Sequence, residues 1–139
     1  MKKSILIAAL GLFSLSAMAQ DAKPEEGFVF TTVKENPITS IKNQNRSSTC
    51  WSFSALGFLE SELLRLGKGE YDLSEMFIVR QKYMNQLDDN YLRHGRGNIG
   101  QGSISPSWFT AFNQVGIVPE EVYSGINYDS KTHNHTELE

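Results

Sequence analysis

At 139 residues the chain is one domain's worth of sequence or less. Hydrophobic residues make up 40% and charged residues 21%, a balance that excludes a disordered polypeptide. Acids outnumber bases for a formal charge of −3, which leaves no electrostatic footprint for nucleic acid or an anionic membrane surface.

Lys2 and Lys3 precede a short apolar run from Ile5 to Leu15, and Ala17-Met18-Ala19 supplies a small-x-small cleavage pattern. Residues 1–19 are therefore predicted to be a signal peptide, with a periplasmic or extracellular destination. The run is too short to span about 30 Å of hydrocarbon, so no membrane anchor is expected after cleavage. The mature chain would carry 11 basic and 16 acidic residues, a formal charge of −5 that favours solubility. Residues 20–36 read as a mature N-terminal segment: polar Gln20 to Glu26, then the β-branched and aromatic Phe28 to Val33, predicted to be extended. Pro37 holds Asn36 extended and opens a predicted helical domain over residues 37–128.

From Cys50 to Leu66 only the tolerable Gly57 opposes a helix. Its apolar residues, among them Trp51, Phe53, Leu56, Phe58 and Leu63, cover more than one face, which predicts a helix at the centre of a core. Ser48 and Thr49 are N-cap candidates, and Gly67 is the stop. A second helix is predicted from Glu75 to about Leu87 with Ser74 as cap, and Asp88-Asp89 as a solvated turn. A glycine-rich loop spans Gly95 to Gly102. The third helix is predicted to begin with Ser105 as cap and Pro106 as its first residue, and to stop at Gly116. Ile117-Val118-Pro119 returns to extended chain, and the polar tail 129–139 is expected to build no element.

Cys50 is the single cysteine. Exported cysteines mostly pair; an unpaired one is either a buried, inert small hydrophobe or a thiol kept for its reactivity. The neighbours favour reactivity. A thiolate attacks carbonyls where a thiol does so poorly, and a helix N-terminus favours the thiolate through its macrodipole and unpaired N–H groups. Gln44 lies six residues upstream across the polar turn Asn45-Arg46-Ser47-Ser48-Thr49. Such a turn can return an amide N–H₂ to the helix start, where it and a backbone N–H would hold a tetrahedral oxyanion.

Asn43-Gln44 followed by Ser48-Thr49-Cys50-Trp51-Ser52-Phe53-Ser54 resembles the active-site signature of the papain-like cysteine peptidases. The resemblance implies Cys50 as nucleophile, Gln44 as oxyanion glutamine, and Trp51 as the tryptophan beside them. Leu73-Ser74-Glu75 resembles the family's next helix start. Gly100-Gln101-Gly102-Ser103 resembles the loop whose backbone binds substrate in extended form, with Ser103 in place of the second glycine of a pair. The implied fold class is α+β, this chain covering mainly the helical left domain. A peptide is the implied substrate, no cofactor or metal is implied, and a homo-oligomer stays open. Cathepsin-like members carry a disulfide cysteine where this chain has Ser47, and a long inhibitory pro-segment where only residues 20–49 precede Cys50. Both departures resemble the bleomycin hydrolase and aminopeptidase C branch, which implies trimming from the N-terminus.

The base is expected roughly 130–150 residues after such a nucleophile. His94, His133 and His135 lie 44, 83 and 85 residues beyond Cys50, and none suits that order. The catalytic His and Asn are therefore read as absent from these residues, with a truncated chain that is inactive alone. The rival reading is a non-catalytic binding protein or inactive fragment that keeps the helical domain. Gly95-x-Gly97-x-x-Gly100 matches the dinucleotide fingerprint by letter but lacks the strand before it and the helix after it. His133-x-His135 with Glu137 or Glu139 has no scaffold predicted to hold a metal. Trp51, Phe58, Trp108 and Phe112 read as core aromatics.

Overall fold

The computed structural model describes residues 27–127 and 129–138. The chain divides into two compact units, Met1–Lys34 and Glu35–Glu139. The expected signal peptide and Gln20 to Glu26 lie outside the described residues. In the first unit, residues 27–34 form no regular element, and the Phe28 and Phe30 rings lie 6.2 Å apart.

The second unit holds three helices, α1 (Cys50–Arg65), α2 (Glu75–Leu92) and α3 (Ser105–Val115), each packed on the other two. No strand forms among the described residues; two isolated bridges, Arg46 with Asn134 and Leu73 with Pro119, tie distant loops together. The helical part of the expected architecture is thus present. No described helix is long and apolar enough to cross a membrane.

Local chemistry sets most helix ends. Ser74 caps α2, its hydroxyl accepting from the Phe77 N–H at 3.1 Å. Gly67, at φ 67°, ends α1: its N–H donates to the Leu64 carbonyl and that of Lys68 to the Leu63 carbonyl, the double bond pattern of a Schellman cap. Two boundaries differ from expectation. Ser105 is the first residue of α3 and Ile104 occupies the cap position. Helix α2 continues five residues past Leu87 to Leu92, because nothing before Gly95 breaks it. Asp88 and Asp89 therefore belong to the helix rather than to a turn, and Asp89 pairs with Arg93 at 2.7 Å. His94 ends α2 at φ 53°, its N–H on the Tyr91 carbonyl and that of Gly95 on the Asn90 carbonyl.

The core gathers Trp51 and Leu56 of α1, Met76, Ile78 and Val79 of α2, and Trp108 and Ala111 of α3. Leu56 and Ile78 are fully buried, each contributing about 1.5–3 kcal/mol relative to exposure. Phe112 stacks on Trp108 at 5.0 Å. Phe58 does not join them: it is 69% exposed, as is 57% of Leu66. The expectation that α1 is buried on several faces is corrected accordingly. Its buried stripe is Trp51, Ser52, Leu56 and Glu60, the positions that meet the other two helices.

A charged cluster joins the chain before α1 to the helices. Lys42 Nζ reaches Glu60 at 2.8 Å, Asp72 at 2.7 Å and Glu75 at 3.0 Å. Glu60 is 1% exposed and also accepts from the Thr39 hydroxyl and the Leu73 N–H. The tail, expected to build nothing, is docked: the Arg46 N–H donates to the His133 carbonyl at 3.2 Å and the His135 N–H to the Arg46 carbonyl at 3.0 Å. A 3-10 turn follows at Thr136–Leu138.

Candidate active site

The turn from Gln44 to Thr49 is built from inside. The Ser47 hydroxyl contacts the Gln44 carbonyl at 2.6 Å and the Thr49 hydroxyl at 2.6 Å, and both Ser47 and Thr49 are fully buried. Asn45 and Ser48 take left-handed backbone, φ 50° and 43°, which reverses the chain within six residues. Thr49 stands at the N-cap position of α1, but its hydroxyl is engaged with Ser47 and makes no cap bond. The first-turn N–H groups of α1 are therefore not closed off by a capping side chain, and no acidic residue sits in that turn to offset the macrodipole.

Cys50 is the first residue of α1 and is exposed, although Thr49 before it and Trp51 after it are buried. The Gln44 amide turns its Oε1 inward, where it has no hydrogen-bond partner.

Trp51 carries the link to the glycine-rich loop: its indole N–H donates to the Gln101 carbonyl at 3.1 Å. Gln101 is buried and its side-chain N–H₂ donates to the His135 carbonyl at 3.4 Å, whereas Gly102 is exposed and Ser103 half-buried. Helix α2 supports the same loop through Lys82, Gln86 and Asn90. Gly97 has to be glycine, since a Cβ there would meet the Asn90 backbone at 2.5 Å. The fold thus brings Cys50, Trp51 and Gly100 to Ser103 to one end of α1, with Gln44 in the turn that enters it.

Sequence reasoning missed the three α2 residues. A signal was there: Lys82, Gln86 and Asn90 are polar at successive i+4 positions, one face of a helix. It also treated His133 and His135 as free in a tail. Their rings meet Phe53 and Tyr83 edge-on, each at 6.0 Å. Burial, and for His133 the neighbouring His135, holds both imidazoles below the ordinary histidine range. Among the described residues no three His, Cys, Asp or Glu side chains converge to hold a metal ion.

Over residues 28–138 the chain matches the papain family cysteine protease. It belongs to that family. A viral cathepsin of Orgyia pseudotsugata multicapsid polyhedrosis virus is 30% identical over 114 residues, covering 76% of this chain and 35% of that protein. Cathepsin S of Mus musculus is 28% identical over 98 residues, 69% of this chain and 26% of that protein. A cysteine protease of Blomia tropicalis is 31% identical over 86 residues, 62% and 24%. The chain spans about a quarter to a third of the length of such relatives, from 23% in the viral cathepsin of Choristoneura fumiferana nuclear polyhedrosis virus to the 35% above. The papain-like fold has a helical N-terminal part, and the three helices found here correspond to it.

Proposed function

We propose that this papain-family chain carries the nucleophilic half of a peptidase that cleaves peptide bonds through a thioester acyl-enzyme. The observation that carries the reading is an exposed thiol on the first residue of a helix whose flanking residues are buried. Cys50 Sγ attacks the scissile carbonyl carbon, and its proton passes to a base that these residues do not supply. The carbonyl oxygen, now an oxyanion, is held by the Cys50 N–H and the Gln44 side-chain N–H₂. The protonated base gives its proton to the leaving amine, and water then releases the acyl group. Trp51 shields the site, and Gly100 to Ser103 align the peptide backbone.

Two finer proposals follow. Ser47, buried and bonded within its turn where cathepsin-like members place a disulfide, favours the aminopeptidase C type and trimming from a free N-terminus. The pattern at residues 1–19 favours an exported protein, and residues 1–139 alone are proposed to turn over no peptide.

The test is labelling of the thiol with a peptidyl electrophile beside Cys50→Ala, using peptides with free and with acetylated N-termini. Rapid labelling that Cys50→Ala abolishes, and that acetylation slows, is expected. Labelling no faster than that of an ordinary thiol would favour a non-catalytic binding protein.

A further inference from the structure

The loop from Gly97 to Gly102 is gripped by a single helix face. Asn90 Oδ1 accepts from the Gly97 N–H at 2.9 Å, and Gln86 Oε1 accepts from the Gly100 N–H at 3.4 Å. Lys82 Nζ donates to the Gly100 carbonyl and, at 3.1 Å, to the Gly102 carbonyl. Between those two carbonyls, that of Gln101 takes the indole N–H of Trp51 at 3.1 Å. Three consecutive carbonyls are thus held, two by one ammonium and the third by the side chain that follows Cys50.

Lys82 is 4% exposed, and its ammonium is turned to the carbonyls of Gly100 and Gly102. Its ammonium also lies 5.0 Å from the Tyr83 ring centroid. What the charge adds is geometry: one tetrahedral donor can bind two carbonyls two residues apart and so fix the path of the backbone between them. Beyond Gly102 there is open space, since a Cβ built there would meet nothing within 4 Å.

We propose that Lys82 is a positioning residue for peptide binding, holding the backbone of Gly100 to Ser103 in the shape that receives an extended substrate beside Cys50. The proposal rests on the peptidase reading above and adds to it the group that makes the loop rigid. Gln86 and Asn90 complete the same device by taking the N–H groups on the near side of the loop.

The experiment compares wild type with Lys82→Met in the protein as encoded. Labelling of Cys50 is followed with a peptidyl electrophile and with iodoacetamide, and amide exchange is followed across residues 97–103. Lys82→Met is expected to slow the peptidyl reagent roughly tenfold, with iodoacetamide changed less than about twofold, because loop geometry affects only the reagent that must be aligned. Exchange across 97–103 should rise by roughly tenfold while that of α1 stays put, since local opening reports local bonds. If Lys82→Met does not fold, Gln86→Met decides, with about a threefold slowing of the peptidyl reagent expected from one lost hydrogen bond. A wild-type preference for the peptidyl reagent that Lys82→Met retains, or that the folded Gln86→Met leaves unmoved, overturns the role of Lys82 alone. No preference in the wild type overturns the peptidase reading, and the alignment role with it.

Discussion

Two lysines are drawn into this small helical unit, and they tie together different parts of it. Lys42 meets three carboxylates, Glu60, Asp72 and Glu75, and the Leu73 carbonyl. Lys82 meets the backbone carbonyls of Gly100 and Gly102. Burial alone would lower the Lys42 pKa, but hydrogen bonds to Asp72, Glu60 and Glu75 outweigh it and raise it. Around Lys42 the anions outnumber the cation, so the lysine is what permits Glu60 and Glu75 to be buried at all. Lys82 grips the glycine-rich loop at the Gly100 and Gly102 carbonyls, and the loop's shape depends on it. One region sets stability; the other sets the geometry of the glycine-rich loop.

The comparison can be broken most directly at Lys42. Lys42→Met strands two buried carboxylates and is expected to cost about 3–5 kcal/mol in urea unfolding followed by tryptophan fluorescence. Lys82→Met strands the Gly100 and Gly102 carbonyls and should cost less, about 1–3 kcal/mol in the same measurement. Equal losses would show that the two sites are not different in kind. Trp51→Phe removes one indole N–H from the Gln101 carbonyl while keeping an aromatic ring in the core. A loss of about 0.5–1.5 kcal/mol is expected, and it should appear mainly as faster amide exchange near Gln101.

The smallest effect is a dependence on pH, and it sharpens the picture of the Lys42 region. Burial first, then Glu75 and Asp72, push the Glu120 carboxyl up to about 7. The folded state therefore binds a proton that the unfolded state releases near 4.5. Stability from Glu120 is present below that value and is lost as pH rises from 4.5 to about 7. Glu75 is shifted upward too, mainly by burial, and acts in the same direction. His133 and His135 act in the opposite direction: their lowered values give stability present above 6.5 and lost as pH falls below it. Melting temperatures at pH 5 and 7.5 separate the two. Glu120→Gln should reduce the fall between them by a degree or so, of the order expected for a few tenths of a kcal/mol at a partly solvated carboxyl. An unchanged difference would remove Glu120 from the cluster's proton balance.

Much of the helical unit was legible residue by residue. Ser74 as cap, Gly67 as stop, Gly116 after α3 and Cys50 at the opening of α1 all rest on bonds within a few positions, which local sequence specifies. The errors lie where bonds span the chain. Phe58 was expected in the core and is exposed, because helical spacing tells which residues share a face but not which face meets a neighbour. The tail looked inert until its backbone paired with Arg46. Nothing beside Glu60 in the sequence marks it as buried, since its partners are the distant Lys42, Thr39 and Leu73.

The sequence by itself determined the chemistry on offer, a lone cysteine at a helix start with a glutamine six positions before it, because composition, caps and spacing are local properties. Only the tertiary structure decided how that chemistry is framed. The grip of Lys82 on Gly100 and Gly102, the Trp51 bond to Gln101 and the docking of His133 and His135 join positions far apart in sequence. Such bonds form only where helix packing brings their partners within hydrogen-bonding reach.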